Sequence, residues 1–314
     1  MERLDSHLLA SREPILFFYS PYNFLRDIPF DVQQKLFGAG RMAQLAETDS
    51  CHLLTVGEGA ERIQMLYSAL PWDSAFFGTP TYRLQTALFT PQSSLASRVA
   101  AAQQLQAQLA ASGSYYCFSE IPVEDTELLQ ILTNSGWRLV ETRLLFYHDQ
   151  LHTFNQPRYA VRAARTEESE AIGRISAAAR NSYDRFHADS WFGDTRADAF
   201  LAHYASAAVQ GYCDTVLVPA EPGLPVDSFL AISDLASDAT ALGVGLSRVV
   251  LTAVGPENRG WHLRLVAETV QRAREKQAQY VLMTTQATNR AVFRTCEKLG
   301  FKMGGSTHVV ACHG

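Results

Sequence analysis

The stretch VGPENRGWHL (254–263) joins a strand-like run to a helix-like one and sets a cation, Arg259, beside Gly260 where the helix begins. The first N–H groups of a helix lack intrahelical acceptors and lie at the positive end of its dipole, so such a junction suits an anion, phosphate above all. Groups able to move protons stand elsewhere. His187 and Asp189 fall in RFHAD (185–189), Asp234 lies within a strand-like stretch, and His308 lies in the last one. Each could act as a base within one hydrogen bond, or one water, of a substrate proton. Cys296 offers either a thiol, with an ordinary pKa of about 8.5, as proton donor or a small apolar side chain facing a core.

Missing patterns narrow the chemistry. A hydrolase elbow, Gly-x-Ser-x-Gly, does not occur. Gly243 and Gly245 form a lone Gly-x-Gly placed before a strand, the wrong context for a dinucleotide loop. Cys296 and His308 lack any supporting signature of a covalent thiol site.

The elements that must position these residues can be read from periodicity and punctuation. After a strand-like YAVRAAR (159–165) come helices over about 166–182 and 195–210, then three strand candidates, CDTVLVPAE (213–221), SFLAISDLAS (228–237) and SRVVLTAV (247–254). A helix over 260–277 carries Leu263, Val266, Ala267, Val270 and Ala273 on one face, and a strand at 280–286, a helix at 289–299 and a strand at 301–313 follow. PWDSAFFG (71–78) reads as an aromatic strand with a turn, and within residues 1–60 the aromatic-rich FFYSPYNFLRDIPF (17–30) reads as a packed extension or a partner-binding arm.

The chain also repeats itself. Residues 116–148 and 280–312 align without a gap: Tyr116 with Tyr280, Asp125 with Asn289, Gly136 with Gly300, Trp137 with Phe301. Each reads strand, helix, strand, with Asp125 or Asn289 as helix cap and a glycine for the left-handed turn at its end. The polar segment HTFNQPR (152–158) is the expected linker, dividing the chain into 1–152 and 159–314.

This order of elements, together with the 254–263 loop, resembles the GNAT acyltransferase superfamily, and covers the second half of the chain closely. The resemblance implies an α/β fold with a mixed central sheet flanked by helices, complete in 159–314 and preceded by a partial, degenerate copy with an aromatic-rich extension in 1–152. It implies an acyl-coenzyme A co-substrate, acetyl or longer, held by Leu251 and Val254 on the strand, by Arg259, Gly260, Trp261, His262, Leu263 and Arg264 in the loop, and by Asn289 along the pantetheine arm. The family's loop reads Arg/Gln-x-x-Gly-x-Gly/Ala; His262 and Arg264 replace its last two small residues. They either obstruct the anion or supply donors to it. The first copy has LFTPQSSLASR (88–98) at the same junction, without an Arg-Gly pair, and is expected to bind no pyrophosphate.

PWDSAFFG, RFHAD with Asp198, and the ending TNRAVFRTCEKLGFKMGGSTHVV (288–310) are similar to the branch of nucleotide-amino-sugar N-acyltransferases that contains dTDP-fucosamine acetyltransferase. That likeness implies acyl transfer to a primary amine, an amino sugar on a nucleotide carrier, with Arg185 and Arg290 as candidate cations for it. His308 is the favoured base, His187 and Asp189 could close over the sugar, and Cys296 stands where the family often has a Tyr that protonates the thiolate. A catalytically degenerate tandem protein acting as a binding or scaffold subunit, or an enzyme acting on a peptide or small amine, are the alternatives.

Composition sets outer limits. The 314 residues are 47% hydrophobic and 19% charged, enough for a full core. Lys and Arg total 27 against 32 Asp and Glu, without a basic stripe for nucleic acid. No apolar run reaches the length of a membrane span, and MERLDSHLLASREP does not read as a secretory signal, which makes the cytoplasm the expected compartment. Five scattered cysteines fit neither a disulfide framework nor a zinc site, so no metal is expected. A homodimer is left open.

Overall fold

The computed structural model describes residues 3–314. The chain forms two compact units, one built from residues up to Thr142 together with Ser306–Gly314, the other from Arg143–Gly305.

In the first unit, helices α1 (Ser6–Leu16), α2 (Phe30–Leu36) and α3 (Ala39–Ala46) precede strands β1 (Cys51–Val56) and β2 (Ile63–Ala69). Then come α4 (Pro71–Phe77), β3 (Thr81–Leu88), α5 (Leu95–Ala110), β4 (Tyr116–Pro122) and α6 (Thr126–Asn134). Strand β5 (Arg138–His148) carries the chain into the second unit. There follow β6 (Val161–Ala163), α7 (Ser169–Ala178), α8 (Arg185–Ala188), α9 (Asp194–Ala207), β7 (Thr215–Pro219), β8 (Ser228–Ser233), α10 (Ala236–Leu242), β9 (Leu246–Val254), α11 (Trp261–Glu275), β10 (Tyr280–Gln286) and α12 (Arg290–Leu299). Strand β11 (Lys302–His313) ends the chain, and from Ser306 onward it belongs to the first unit.

The two units repeat one plan. In the first, β1–β2 and β2–β3 are antiparallel, β3–β4 parallel, and β4–β11 antiparallel. In the second, β7–β8 and β8–β9 are antiparallel, β9–β10 parallel, and β10–β5 antiparallel, with β6 added beside β7. Strands are covered on both faces. In the second unit Leu230, Ile232 and Val249 pack with α11 and α12, while the alternate residues Phe229, Ala231 and Ala253 pack with α7. In the first, Met65 and Leu84 face α5 and α6, and Leu66 and Leu88 face α1 and α3. Side chains alternate between the two faces of a strand, and because buried apolar residues stand at both parities here, a helix layer is required on each side.

The repeat survives to the level of register. Cys117 lies opposite Cys312, both free thiols, and the aligned residues Val281 and His148 lie opposite each other in the second unit. Asp125 accepts from Leu128 N–H at 3.2 Å, and Asn289 from Val292 N–H at 3.2 Å. Gly136 and Gly300 have φ of 93° and 80°, and the residue after each closes a bond back to the helix, Trp137 N–H to Leu132 O and Phe301 N–H to Cys296 O. Only glycine takes that left-handed conformation without strain.

Several elements differ from the sequence reading. PWDSAFF is helical, not a strand: Pro71 sits in its first turn, Asp73 follows, and Gly78 ends it at φ 62°. The run 228–237 stops at Ser233, and α10 takes over from Ala236. The helix expected to reach 182 ends at Ala178. The segment 152–158 is packed inside the second unit: Phe154 is in its core, Arg158 pairs with Glu268 and Glu275, and Gln156 O accepts from Gln271. Polar composition there reflects side-chain partners on α11. Residues 6–46 include three packed helices, with Leu8, Leu16 and Met42 buried against Leu66 and Leu88.

Candidate functional site

Strands β9 and β10 run parallel from Leu246/Tyr280 only as far as Val249/Met283, although both continue. On its other edge β9 stays paired with β8 to Val254, with a register break that leaves Val250 as an extra residue. A bulge of this kind bends and twists its strand. It lies where the parallel pairing stops, so past Val249 strand β9 is in register with β8 alone among the described pairings. The first unit does the same, with Gln85 extra and the β3–β4 pairing ending at Leu84/Ser119.

At the end of β9 the chain turns into α11, and three residues shape the turn. Gly255 donates to Asp227 O, and a Cβ there would overlap the Asp227 carboxylate, which accepts from Glu257 N–H at 2.8 Å. The buried Asn258 donates to Pro225 O and Ser228 Oγ, tying the loop to β8. Gly260, at φ 87°, caps α11 without any side-chain acceptor. The N–H groups of the first turn of α11 therefore remain available, as at any uncapped helix start.

Gly260, His262 and Leu263 line a cavity of about 550 Å³, together with Val254, Arg259, Arg294, Thr295 and Lys298. Arg259, Arg294 and Lys298 are exposed and make no ion pair among the described residues. The helix dipole and three unneutralised cations give one wall of the cavity a strong positive potential.

His262 does not obstruct this wall in the way its bulk implies. Its Nδ1 lies 2.9 Å from Thr295 Oγ1, so the ring is turned toward α12. The Thr295 hydroxyl donates to Ala291 O, which leaves it to accept from Nδ1–H. Burial pushes the imidazole pKa down to about 4, and Nε2 is enclosed with no partner. Arg264 is also drawn off: it pairs with Glu221 at 2.9 Å and stacks over Tyr159 and Trp261. Trp261 is a core residue, and Leu251 packs with the α7-side core.

The expected proton-transfer residues are scattered. Cys296 has no exposed surface, and burial pushes its thiol up to about 12, which favours packing over proton donation. Both ring nitrogens of His187 face carboxylates, Asp184 at 2.8 Å and Asp198 at 3.0 Å, so it clasps the 184–198 segment. Asp189 is buried and accepts from Trp191 N–H. Asp234 is held by Arg272 and Lys276, which lower it to about 2; these lie at the far end of α11 from the cavity. His308 belongs to the first unit, with Nδ1 at 3.1 Å from Thr142 Oγ1 and its other nitrogen unpartnered among the described residues. Arg294 and Lys298 escaped the sequence reading, although their i,i+4 spacing on a helix next to Arg290 was a legible signal.

The matching junction of the first unit is filled. Phe89 is sandwiched between the guanidiniums of Arg12 and Arg98, at 4.3 and 4.1 Å. Asp125 takes bonds from Arg12 at 2.6 Å and Tyr19 at 2.7 Å. The start of α5 is capped by Ser94, whose own N–H goes to Glu61. Arg12 and Tyr19 of the N-terminal segment thus engage Phe89 and Asp125, while Ser94 and Glu61 occupy the helix start.

No protein-family model matches the sequence, and no curated protein is similar to it at a significant level. Solved structures are similar in fold, and they define its class: mixed parallel and antiparallel strands with helices on both faces, repeated in two units, form a tandem GNAT fold. A GCN5-related N-acetyltransferase from Sphaerobacter thermophilus aligns over 97% of this chain and 91% of its own, with TM-score 0.56 and 12% identity. The tandem GNAT protein from the clavulanic acid biosynthesis pathway aligns over 98% and 95%, with TM-score 0.51 and 12% identity. A GCN5-related glucosamine N-acetyltransferase region of a fungal multi-domain GH3 β-N-acetylglucosaminidase aligns over 98% of this chain and 36% of that one, at TM-score 0.56 and 13% identity. No helix among the described residues is long and apolar enough to cross a membrane.

Proposed function

We propose that this protein is an acyl-CoA-dependent N-acyltransferase whose second unit holds the coenzyme. The observation that carries the reading is the opening of β9 from β10 beyond Val249, leading to the uncapped start of α11 beside unpaired Arg259. The free backbone of β9 around Leu251 would bind an amide-bearing arm and polarise a thioester carbonyl. The first N–H groups of α11 and Arg259 would hold a pyrophosphate.

Acyl-CoA supplies an activated carbonyl carbon. Amide formation then joins the amine nitrogen to that carbon, breaks the carbon–sulfur bond, and passes one proton from the amine to a base while the thiolate gains one. His308 is the base we propose, since one ring nitrogen is oriented by Thr142 and the other is unpartnered. Asn289 serves as a helix cap in this account. The acceptor we propose is a primary amine of an amino sugar on a nucleotide carrier. It rests on the sequence likeness of 288–310, and the name of the fungal neighbour, a glucosamine N-acetyltransferase region, agrees with an amino-sugar acceptor. A scaffold role is the second reading, favoured by the replacement of two small loop residues with His262 and Arg264.

Calorimetric titration with acetyl-CoA separates the two. Saturable binding that Arg259→Glu weakens at least about tenfold supports the enzyme; no binding by the wild type supports the scaffold. Thiol release across a panel of amines then identifies the acceptor, and release with a peptide amine alone overturns the sugar assignment. In the same assay His308→Ala should lower kcat about a hundredfold or more and leave coenzyme binding intact.

A further inference from the structure

Cys117 and Cys312 stand opposite each other in the antiparallel pair β4–β11, and both lie in the core that faces α5 and α6, at 0% and 5% exposure. Two residues away, Tyr115 and Gly314 exchange both of their backbone bonds, Tyr115 N–H to Gly314 O and Gly314 N–H to Tyr115 O. Bonded pairs recur at every second residue of an antiparallel ladder, so the two cysteines form another such pair, with Cα atoms about 5.5 Å apart. A disulfide spans roughly 4.4–6.8 Å between Cα atoms and requires Cβ atoms that do not point apart. Both side chains enter the same core, on one face of the sheet. The thiols are within hydrogen-bond reach of each other, and the Tyr115 hydroxyl donates to Cys312 Sγ at 3.9 Å. The remaining cysteines lie elsewhere: Cys213 and Cys296 in cores of the second unit, and Cys51 on β1, separated from β4 by β2 and β3.

We propose that Cys117 and Cys312, free thiols in this structure, are a modification site: a hydroperoxide converts them to a reversible disulfide that fastens β11 to β4. Cys312, the less enclosed of the two, attacks the peroxide. Its S–O bond forms, the O–O bond breaks, and its proton leaves with the departing oxygen as water or an alcohol. Cys117 then attacks that sulfur: the S–S bond forms, the S–O bond breaks, and hydroxide leaves with the Cys117 proton as water. Two thiols lose two electrons, and the hydroperoxide gains them. Burial pushes the Cys117 thiol up, which disfavours it as the first point of attack, while its place against Cys312 makes it the nearest thiol for the second step. The strand so tied is the one that the second repeat contributes to the first unit, and the whole of the second unit lies between the two cysteines in the chain. A cross-link that closes so long a loop strongly restricts the unfolded chain. The modification does not depend on coenzyme binding.

The test treats the native, fully reduced protein with hydrogen peroxide, then denatures it, alkylates the remaining thiols with N-ethylmaleimide and maps the peptides by mass spectrometry. A linked pair of peptides carrying Cys117 and Cys312 should appear, and dithiothreitol should return both thiols. The oxidised protein should run faster on a non-reducing denaturing gel and melt about 5 °C or more higher than the reduced one. Cys312→Ala should abolish the linked peptides, the mobility shift and the gain in Tm, and Cys51→Ala should abolish none of them. The wild-type peptide map decides the outcome even where a variant fails to fold. Cys117 and Cys312 recovered as thiols, or either one oxidised to a sulfinic acid without the linked peptides, overturns the proposal. A disulfide that forms without raising Tm overturns the fastening of β11.

Discussion

Cys296 lies in the core beside Val292 and Leu299 with its thiol pushed up to about 12 by burial, far above the basicity of a coenzyme thiolate. Cys296→Ala should therefore leave kcat within about twofold and lower stability by about 1 kcal/mol through lost packing; a large drop in kcat at unchanged stability would restore the proton-donor role. His262 is neutral in the fold at pH 7. Its native pKa of about 4 lies below the ordinary 6.5, so as pH falls through that interval the unfolded chain takes up a proton that the native one refuses. Stability should drop by about 2 kcal/mol between pH 7 and pH 4 on this account, after allowance for partial exposure. Urea titrations of wild type and His262→Ala across that range should show the slope in the former and a weaker one in the latter. Equal slopes would mean that another group carries the effect.

At the scale of elements, α11 is charged in opposite senses at its two ends. Its start is left open to an anion, and its end places Arg272 and Lys276 on Asp234, where cations also complement the helix dipole. Asp234, lowered to about 2, contributes stability that is complete above its ordinary pKa near 4 and is lost as pH falls toward 2. Asp234→Asn should cost about 2 kcal/mol at pH 7, measured by chemical denaturation, and almost nothing at pH 2. An equal cost at both pH values would show that shape, not charge, matters there. The helix caps Asp125 and Asn289, the turns at Gly136 and Gly300, and the start of α11 at Gly260 were legible in the sequence because each depends on local backbone chemistry. Helix α4 was misread because the aromatic content of PWDSAFF outweighed Pro71 and Gly78, the residues that mark a helix start and stop.

Over the whole molecule, duplication explains the common strand plan, while the units do not divide where the repeat does. The last strand of the first repeat, β5, pairs with β10 from Arg143 onward, and the last strand of the second, β11, pairs with β4 from Thr307. A fragment of residues 159–314 lacks the strand that covers β10 and carries an unpaired strand of its own. It should aggregate on size-exclusion chromatography, whereas 143–305, a complete unit, should remain monodisperse with native-like circular dichroism. Identical behaviour of the two fragments would refute the exchange as the organising feature.

The sequence by itself determined the repeat, most of the strands and helices, the two caps, and the Arg259–Gly260 junction, since all of these follow from neighbours a few residues apart. Only the tertiary structure decided which of the named side chains can act. Cys296 is sealed in a core, His187 is clasped by two carboxylates, Asp234 is held at the wrong end of a helix, and Arg294 and Lys298 reach Arg259's cavity. Burial and ionic pairing are set by residues distant in the chain, and a chemical group's reactivity depends on them more than on its identity.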